Sequence, residues 1–226
     1  MIRIALSRVS RVDAAPGHTI GMMAGSRIPL WLKLSWTLWV VLWAPLYWRH
    51  YGPRNFLWFC DIGNFMIMIG LWAESSLVLS WQACSVLVVQ ILFTVDLVTR
   101  AALGFHPIGG TGYMFNDDGS NIPVGMRLLS LFHVATPPVL IWGLRRLGYE
   151  RRGLLCQIAT AWVVLPICWL GWSEKVNLNW VWGPFDRPQY VIQPPWLYLV
   201  VCMLAYPVVL FLPTHLLLSR LLRRPS

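Results

Sequence analysis

Six runs of apolar residues divide the chain, spanning roughly 29–48, 54–72, 75–97, 125–144, 153–172 and 195–218, each near the ~20 residues that cross a hydrocarbon core as a helix. Short polar turns separate the first two runs, at Arg49-His50-Tyr51-Gly52-Pro53-Arg54, and the second from the third, around Glu74. Connections this short predict antiparallel helical hairpins. Two longer connections, roughly 98–124 and 173–194, are rich in Gly, Pro, Asn and Asp, and in an alternating topology both fall on the same side. The pattern predicts an all-α fold, a polytopic transmembrane bundle of about six helices. Residues 1–28 form a basic tail, 29–218 the membrane domain and 219–226 a second basic tail.

Composition agrees with the pattern. The chain has 226 residues, 57% hydrophobic and only 12% charged, where a soluble domain carries about 25% charged residues. Its fifteen tryptophans fall mostly near predicted helix ends, where an indole can rest in the headgroup layer with its N–H hydrated. The first 27 residues hold Arg3, Arg8, Arg11 and Arg27 but no apolar core of signal-peptide length.

A net charge of +9 raises the question of nucleic acid, but the basic residues sit in short segments between apolar runs, not along one soluble face. They read as topology signals. Arg3, Arg8, Arg11, Arg27, Lys33, Arg145, Arg146, Arg151, Arg152, Arg220, Arg223 and Arg224 fall on the side of the termini. Arg49, Arg54, Arg100, Arg127, Lys175 and Arg187 fall on the other. Twelve against six places both termini in the cytoplasm, in a cell inner membrane, with the two long loops outside. No nucleic-acid partner is expected.

Polar residues inside the runs concentrate in the outer half. Helix two descends through Phe59-Cys60-Asp61-Ile62-Gly63-Asn64, and helix four through Phe132-His133 to Pro137-Pro138, so a thiol and an imidazole can share one depth. Helix three brings Gln90 and Asp96 to that half, and the last outer loop carries Asn177-Leu178-Asn179-Trp180. Cys60 and Asn64 are four residues apart and share a helix face, with Asp61 turned about 100° away. Pro137 cannot donate to the carbonyl of His133, which predicts a kink there.

Buried ionisable groups in a membrane are costly and are site candidates for that reason. The ordinary readings stand beside this one: a buried cysteine is most often a small hydrophobe, a lone histidine an interhelical donor, and Asp61 or Asp96 a partner for helix neighbours. The five cysteines all lie in or at the end of apolar runs and include no Cys-x-x-Cys pair, so neither a disulfide framework nor a metal centre is expected. No cofactor is expected either. Gly109-Gly110-Thr111-Gly112 lacks the Lys and context of a phosphate loop, and Asp117-Asp118-Gly119 reads as a turn.

Three segments, Phe59-Cys60-Asp61-Ile62, Phe132-His133 with Pro137-Pro138, and Asn177-Leu178-Asn179-Trp180 followed by Gly183-Pro184 and Pro188, occur in an order that resembles one membrane family. It includes the bacterial YwaF-like six-helix proteins and, more distantly, the mammalian transmembrane acyltransferase of ether-phospholipid remodelling. The chain departs from the bacterial pattern at Trp58-Phe59, where a His often precedes Leu-Cys-Asp, and its third outer connection is longer. The resemblance implies a Cys-dependent acyltransferase or acyl hydrolase, with a membrane phospholipid or other acylated lipid as partner. Cys60 would be the nucleophile and His133 the general base. Asn64 or Asn179 would serve the oxyanion, Asp61 or Asp96 would orient the imidazole, and Asn177 is a further site-supporting candidate. The alternative is a non-catalytic assembly factor or accessory subunit whose polar residues pack helices together.

The twelve-to-six count is directly testable. Cysteine-accessibility mapping is expected to find positions beside Arg151 and beside Lys175 on opposite sides of the membrane; the same side for both would refute the topology.

Overall fold

A computed structural model of the chain describes residues 26–184 and 192–222. The predicted tail over 1–28, apart from its last three residues, lies outside them, as do Arg187, Pro188, Arg223 and Arg224. Among the described residues the fold is all-helical and contains no strand. The helices are α1 (Leu30–Tyr51), α2 (Phe59–Trp72), α3 (Ser76–Leu103), α4 (Gly112–Phe115), α5 (Val124–Leu129), α6 (Phe132–Leu147), α7 (Gly153–Gly171), α8 (Pro195–Ala205) and α9 (Leu212–Leu221). A 3-10 turn, Pro53–Leu57, precedes α2, and a second, Leu178–Trp180, lies in the last loop. A π segment, Tyr206–Phe211, joins α8 to α9.

Four of these units are long and apolar enough to cross a membrane: α3, the α5–α6 unit over Val124–Leu147, α7, and the α8–α9 unit over Pro195–Leu221. The chain is an integral membrane protein. The six expected runs therefore divide into two kinds. Helix α1 has the length, at 22 residues, but its tryptophans, Lys33 and Arg49 make it more polar than the other four. Helix α2 has the apolarity but only 14 residues, about 21 Å of rise, because the run expected over 54–72 breaks at Trp58.

Helix α3 is the spine, packed against α2, α6, α7 and α9. Its packing is closest where three glycines face one turn. A Cβ on Gly70 of α2 would stand 2.6 Å from Leu79, one on Gly143 of α6 2.9 Å from Leu79, and one on Gly153 of α7 2.7 Å from the backbone of Ser80 and Trp81. Membrane helices associate through such small residues, since lipid removes the hydrophobic drive between apolar faces. We call this the terminal end of the bundle, because Ser26 and Leu222 lie there. The loop end carries the segments 98–124 and 173–184.

Polar contacts reinforce the terminal end. Tyr149, in the α6–α7 turn, joins Cys84 of α3 at 3.1 Å to Nδ1 of His215 in α9 at 2.8 Å. Glu74, between α2 and α3, gathers the chain before α1. Its carboxylate pairs with Lys33 Nζ at 2.8 Å and accepts from the Ser26 hydroxyl and from the backbone N–H groups of Arg27 (3.0 Å) and Ile28 (3.3 Å). The tail is thus held from Ser26 onward, and Ile28 is fully buried. Glu74 keeps a left-handed backbone, φ 47°, where glycine would be unstrained, which indicates that the carboxylate is what the position needs.

At one proline the bundle supplies another donor. Pro207, at the start of the π segment, cannot donate to the carbonyl of Met203 four residues back, and Trp162 Nε1 of α7 fills that acceptor at 3.0 Å. Pro137 and Pro138, where the sequence predicts a kink, lie inside helix α6. Helix α6 runs unbroken from Phe132 to Leu147, and the break falls at Ser130-Leu131. There the Ser130 hydroxyl is held by Tyr47 of α1 at 2.8 Å.

Lys33 first, then Ser26 and the neighbouring backbone N–H groups, lower the Glu74 carboxyl from 4.5 to about 2. A depressed folded-state value gives stability that is complete above about pH 4.5 and is lost as the pH falls toward 2. Glu74→Gln is expected to lower the unfolding midpoint in detergent at pH 7, by roughly the 0.5–1 kcal/mol of a partly exposed ion pair, and to remove this acid-side dependence. An unchanged acid profile in the variant would refute the clasp.

Candidate functional site

The first turn of α2 carries Cys60 and Asp61, and a residue far away in sequence decides where that turn begins. The backbone at Trp58 is extended, ending the 3-10 turn and opening α2. Asn179 bridges the break: its Oδ1 accepts from the Phe59 N–H at 3.0 Å and its Nδ2 donates to the Leu57 carbonyl at 2.7 Å. One carboxamide thus caps α2 from outside and closes the turn before it. Asn179 is itself held in a left-handed conformation, φ 49°, with its carbonyl accepting from Tyr206 Oη at 2.6 Å. Asn177 Nδ2 donates to the Gly183 carbonyl and its Oδ1 accepts from the Trp182 N–H, shaping the same loop.

Asp61 is 2% exposed. Asn55 Nδ2 donates to its Oδ2 at 2.6 Å, and the Cys60 thiol donates to its Oδ1 at 3.7 Å. Among the described residues neither of these hydrogen-bond partners is a cation. Cys60 packs against a cluster of buried aromatic rings, Trp43, Tyr47 and Phe132, where Trp43 and Phe132 meet edge to face at 5.7 Å. Tyr47 lies within electrostatic reach of both Asp61 and Cys60.

His133 enters the same cluster from α6. Its ring stacks between Phe132 at 4.0 Å and Phe93 of α3 at 4.4 Å. Nδ1 lies 2.7 Å from the Ser130 carbonyl, which can only accept, so Nδ1 carries the proton and the neutral ring leaves Nε2 as a bare lone pair. The break in the helix at Ser130 therefore does two things: its hydroxyl meets Tyr47, and its carbonyl fixes the tautomer of His133.

Cys60 and His133 thus border one aromatic cluster from two helices. No hydrogen bond joins them: the thiol is on Asp61 and Nδ1 is on Ser130. Asp61 lies beside Cys60 and not beside the imidazole. Asn64, one turn deeper on the Cys60 face, has both ends of its carboxamide without a partner, while its backbone carbonyl accepts from Trp36 Nε1 at 3.0 Å.

Two expected roles change with this geometry. Asp96 does not reach His133. It is fully buried two turns before the end of α3 and accepts from the backbone N–H groups of Ile108, Gly109 and Thr111 and from the Thr111 hydroxyl, all within 3.0 Å. His106 lies between Asp96 and Asp117, 3.1 Å from each, and Arg100 pairs with Asp117 at 2.7 Å. Arg100 first, then His106, hold the Asp117 carboxyl below its ordinary range. Asp96 is the anchor that folds the 104–111 loop back on α3. Asn179 is likewise committed to Leu57, Phe59 and the Cys168 sulfur, at 3.5 Å from Nδ2, so it positions the α2 turn and has no free N–H for an oxyanion.

Sequence reasoning passed over Tyr47, Ser130, His106 and Gln82. The first two sit at turns or on a tryptophan-rich face where nothing in the local pattern marks them. Gln82 had a signal, a second glutamine on α3 eight residues from Gln90 within an apolar run. No group of three or more His, Cys, Asp or Glu among the described residues is arranged to hold a metal ion.

Compared with known protein families, curated proteins and solved structures, the chain matches none.

Asn179→Ala removes two buried hydrogen bonds and leaves the Phe59 N–H and Leu57 carbonyl unpaired, so a loss of roughly 2–3 kcal/mol is expected. Denaturation in detergent measures it. A loss no larger than that of a control alanine change on an exposed loop side chain would refute the cap.

Proposed function

We propose that the protein is an intramembrane acyl-transfer enzyme, an acyltransferase or acyl hydrolase acting on a phospholipid or other acylated lipid, with Cys60 as nucleophile. What carries the reading is one arrangement: a thiol hydrogen-bonded to a buried carboxylate at the start of a helix, bordering the aromatic cluster on whose Phe132 an imidazole with an acceptor nitrogen is stacked. The resemblance of the Cys60, His133 and Asn177–Asn179 segments to a membrane acyltransferase family supports it. The preferred membrane is the cell inner membrane with both termini cytoplasmic, which the twelve-to-six distribution of Lys and Arg supports.

In the proposed reaction the Cys60 sulfur attacks the ester carbonyl carbon as the thiol proton passes to the adjacent base, Asp61 or the Nε2 of His133. The tetrahedral oxyanion takes its hydrogen bond from the Asn64 carboxamide, and collapse breaks the carbon–oxygen bond of the ester. The departing alkoxide takes up the proton. A thioester on Cys60 remains, and the hydroxyl of water or of an acceptor alcohol resolves it with return of the proton to sulfur.

The second reading, a non-catalytic assembly or accessory subunit, draws support from Asp96 and Asn179, whose polar atoms serve the bundle's own loops. The two readings separate on Cys60 and His133. If the pair acts as a unit, Cys60→Ala and His133→Ala each lower hydrolysis of a long-chain p-nitrophenyl ester by at least about a hundredfold, and the double variant is no worse than either. Cys60→Ser folds and is inactive. A chloroacetamide carrying a long alkyl chain labels Cys60 ahead of the other four cysteines, and labelling slows in His133→Ala. Additive stability losses, with no activity and no preferential labelling in the wild type, refute the enzyme and favour the subunit.

A further inference from the structure

Three carboxamides on α2 and α3, those of Asn64, Gln82 and Gln90, are each 1% exposed, and none of their six nitrogen and oxygen ends has a hydrogen-bond partner. The indole N–H groups of Trp39 and Trp43 on α1 are in the same state. Within a membrane domain such groups cannot be left to bulk water, and a native interior retains very few of them without a guest.

Arg127 Nε on α5 and Gln157 Nε2 and Trp169 Nε1 on α7 are unpaired as well, but among the described residues the carboxamides with both ends unpaired lie on α2 and α3 alone. Gln82 faces α2 at Gly63, its Oε1 3.6 Å from where a Cβ on that glycine would stand. Asn64 is the next residue on α2 and shares a face with Cys60 one turn above it. Gln90 is about 12 Å nearer the loop end on α3 and one turn before Phe93, whose ring stacks on His133. Trp43 packs on Phe65 and Phe132. Carboxamides without partners therefore lie on both helices of the packed α2–α3 pair, one of them a turn below the thiol and one a turn from the ring that stacks on the imidazole.

Each carboxamide offers a donor and an acceptor and cannot ionise. An acyl chain would leave every one of them unpaired, and an anionic phosphate would leave the amide oxygens unpaired. A hydroxyl group, donor and acceptor together, matches them.

We propose that the α2–α3 junction beneath Cys60 is a binding site for hydroxyl groups, filled by water and open to a small alcohol, and that it delivers the acyl acceptor to the Cys60 thioester. Its role in turnover rests on the acyl-transfer reading; its existence does not. The acceptor oxygen bonds to the thioester carbonyl carbon, the carbon–sulfur bond breaks, and the hydroxyl proton returns to the Cys60 sulfur. Water gives a fatty acid and an alcohol gives an ester.

The test uses the full chain in nanodiscs. Radiolytic hydroxyl-radical labelling in H2(18)O, read by mass spectrometry, is expected to modify Trp43 and Phe93 in the wild type, and modification falls at least about threefold in the Gln82→Leu/Gln90→Leu variant. Unmodified rings, together with a higher unfolding midpoint in that variant, mean that the amides are dry and overturn the site whether or not Cys60 is acylated. With p-nitrophenyl octanoate, the variant is expected to accumulate octanoyl-Cys60 with a lifetime at least about tenfold longer. Labelled rings with an unchanged lifetime overturn the acceptor role alone. Labelled rings with no octanoyl-Cys60 even in the wild type refute the acyl-transfer reading and, with it, the acceptor role, but leave the hydroxyl site standing. Fatty acid carrying (18)O identifies water as the source, and glyceryl octanoate formed in added glycerol identifies the alcohol.

Discussion

One turn of α3, Leu79 to Trp81, is approached by Gly70, Gly143 and Gly153 from three helices at separations no larger side chain would allow. Lipid offers apolar side chains as good an environment as another helix does, so helices in a membrane are held by contact of backbones and by hydrogen bonds. The three glycines supply the first. They fix α2, α6 and α7 around α3 at the terminal end, and the Glu74 clasp and the Cys84–Tyr149–His215 chain tie α1 and α9 to the same end. No comparable glycine contact is recorded toward the loop end. There the packing residues are large, the helices are interrupted, and side-chain hydrogen bonds take over the work.

That division explains where the interruptions fall. Every backbone group that a break releases inside the bundle must find a partner. The break at Trp58 is satisfied by Asn179, the carbonyl released by Pro207 by Trp162, and the break at Ser130 by Tyr47 and by the ring of His133. Two of these three breaks place a chemically active side chain within two or three residues: Cys60 and Asp61 follow Trp58, and His133 follows Ser130. A continuous helix could carry the same residues, but their first-turn position and fixed tautomer come from the breaks.

Much of this was legible from periodicity and charge. The apolar runs located the long helices, and the polar residues Cys60, Asp61, Asn64, Gln90, Asp96 and His133 were marked by being in those runs at all. The break at Trp58 was not legible, because Arg54-Asn55-Phe56-Leu57-Trp58 reads as the apolar start of a helix and the group that ends it, Asn179, is 120 residues away. Asp96 was read as a site residue for its chemistry, and its place two turns from the end of α3, under a loop with free N–H groups, made it an anchor instead. Pro137 and Pro138 lie inside α6, and the interruption that no sequence signal marks falls at Ser130, where a hydroxyl partner exists on α1.

The polar interior therefore holds two populations that sequence alone could not separate. Asp96 accepts from three backbone N–H groups, a hydroxyl and an imidazole, and both ends of the Asn179 carboxamide are bound; groups so saturated have nothing left to offer a ligand. Asp61 has an amide and a thiol for company, His133 offers Nε2 as an acceptor, and the carboxamides of Asn64, Gln82 and Gln90 have no partner among the described residues. An unpaired polar group weakens a packed interior, while a hydrophobe of the same shape does not. The saturated residues bind loops or helix starts, and the unpaired carboxamides of Asn64, Gln82 and Gln90 lie on α2 and α3, with further unpaired polar atoms on α1 (Trp39, Trp43), α5 (Arg127) and α7 (Gln157, Trp169). What the fold stabilises with the first population is the position of the second.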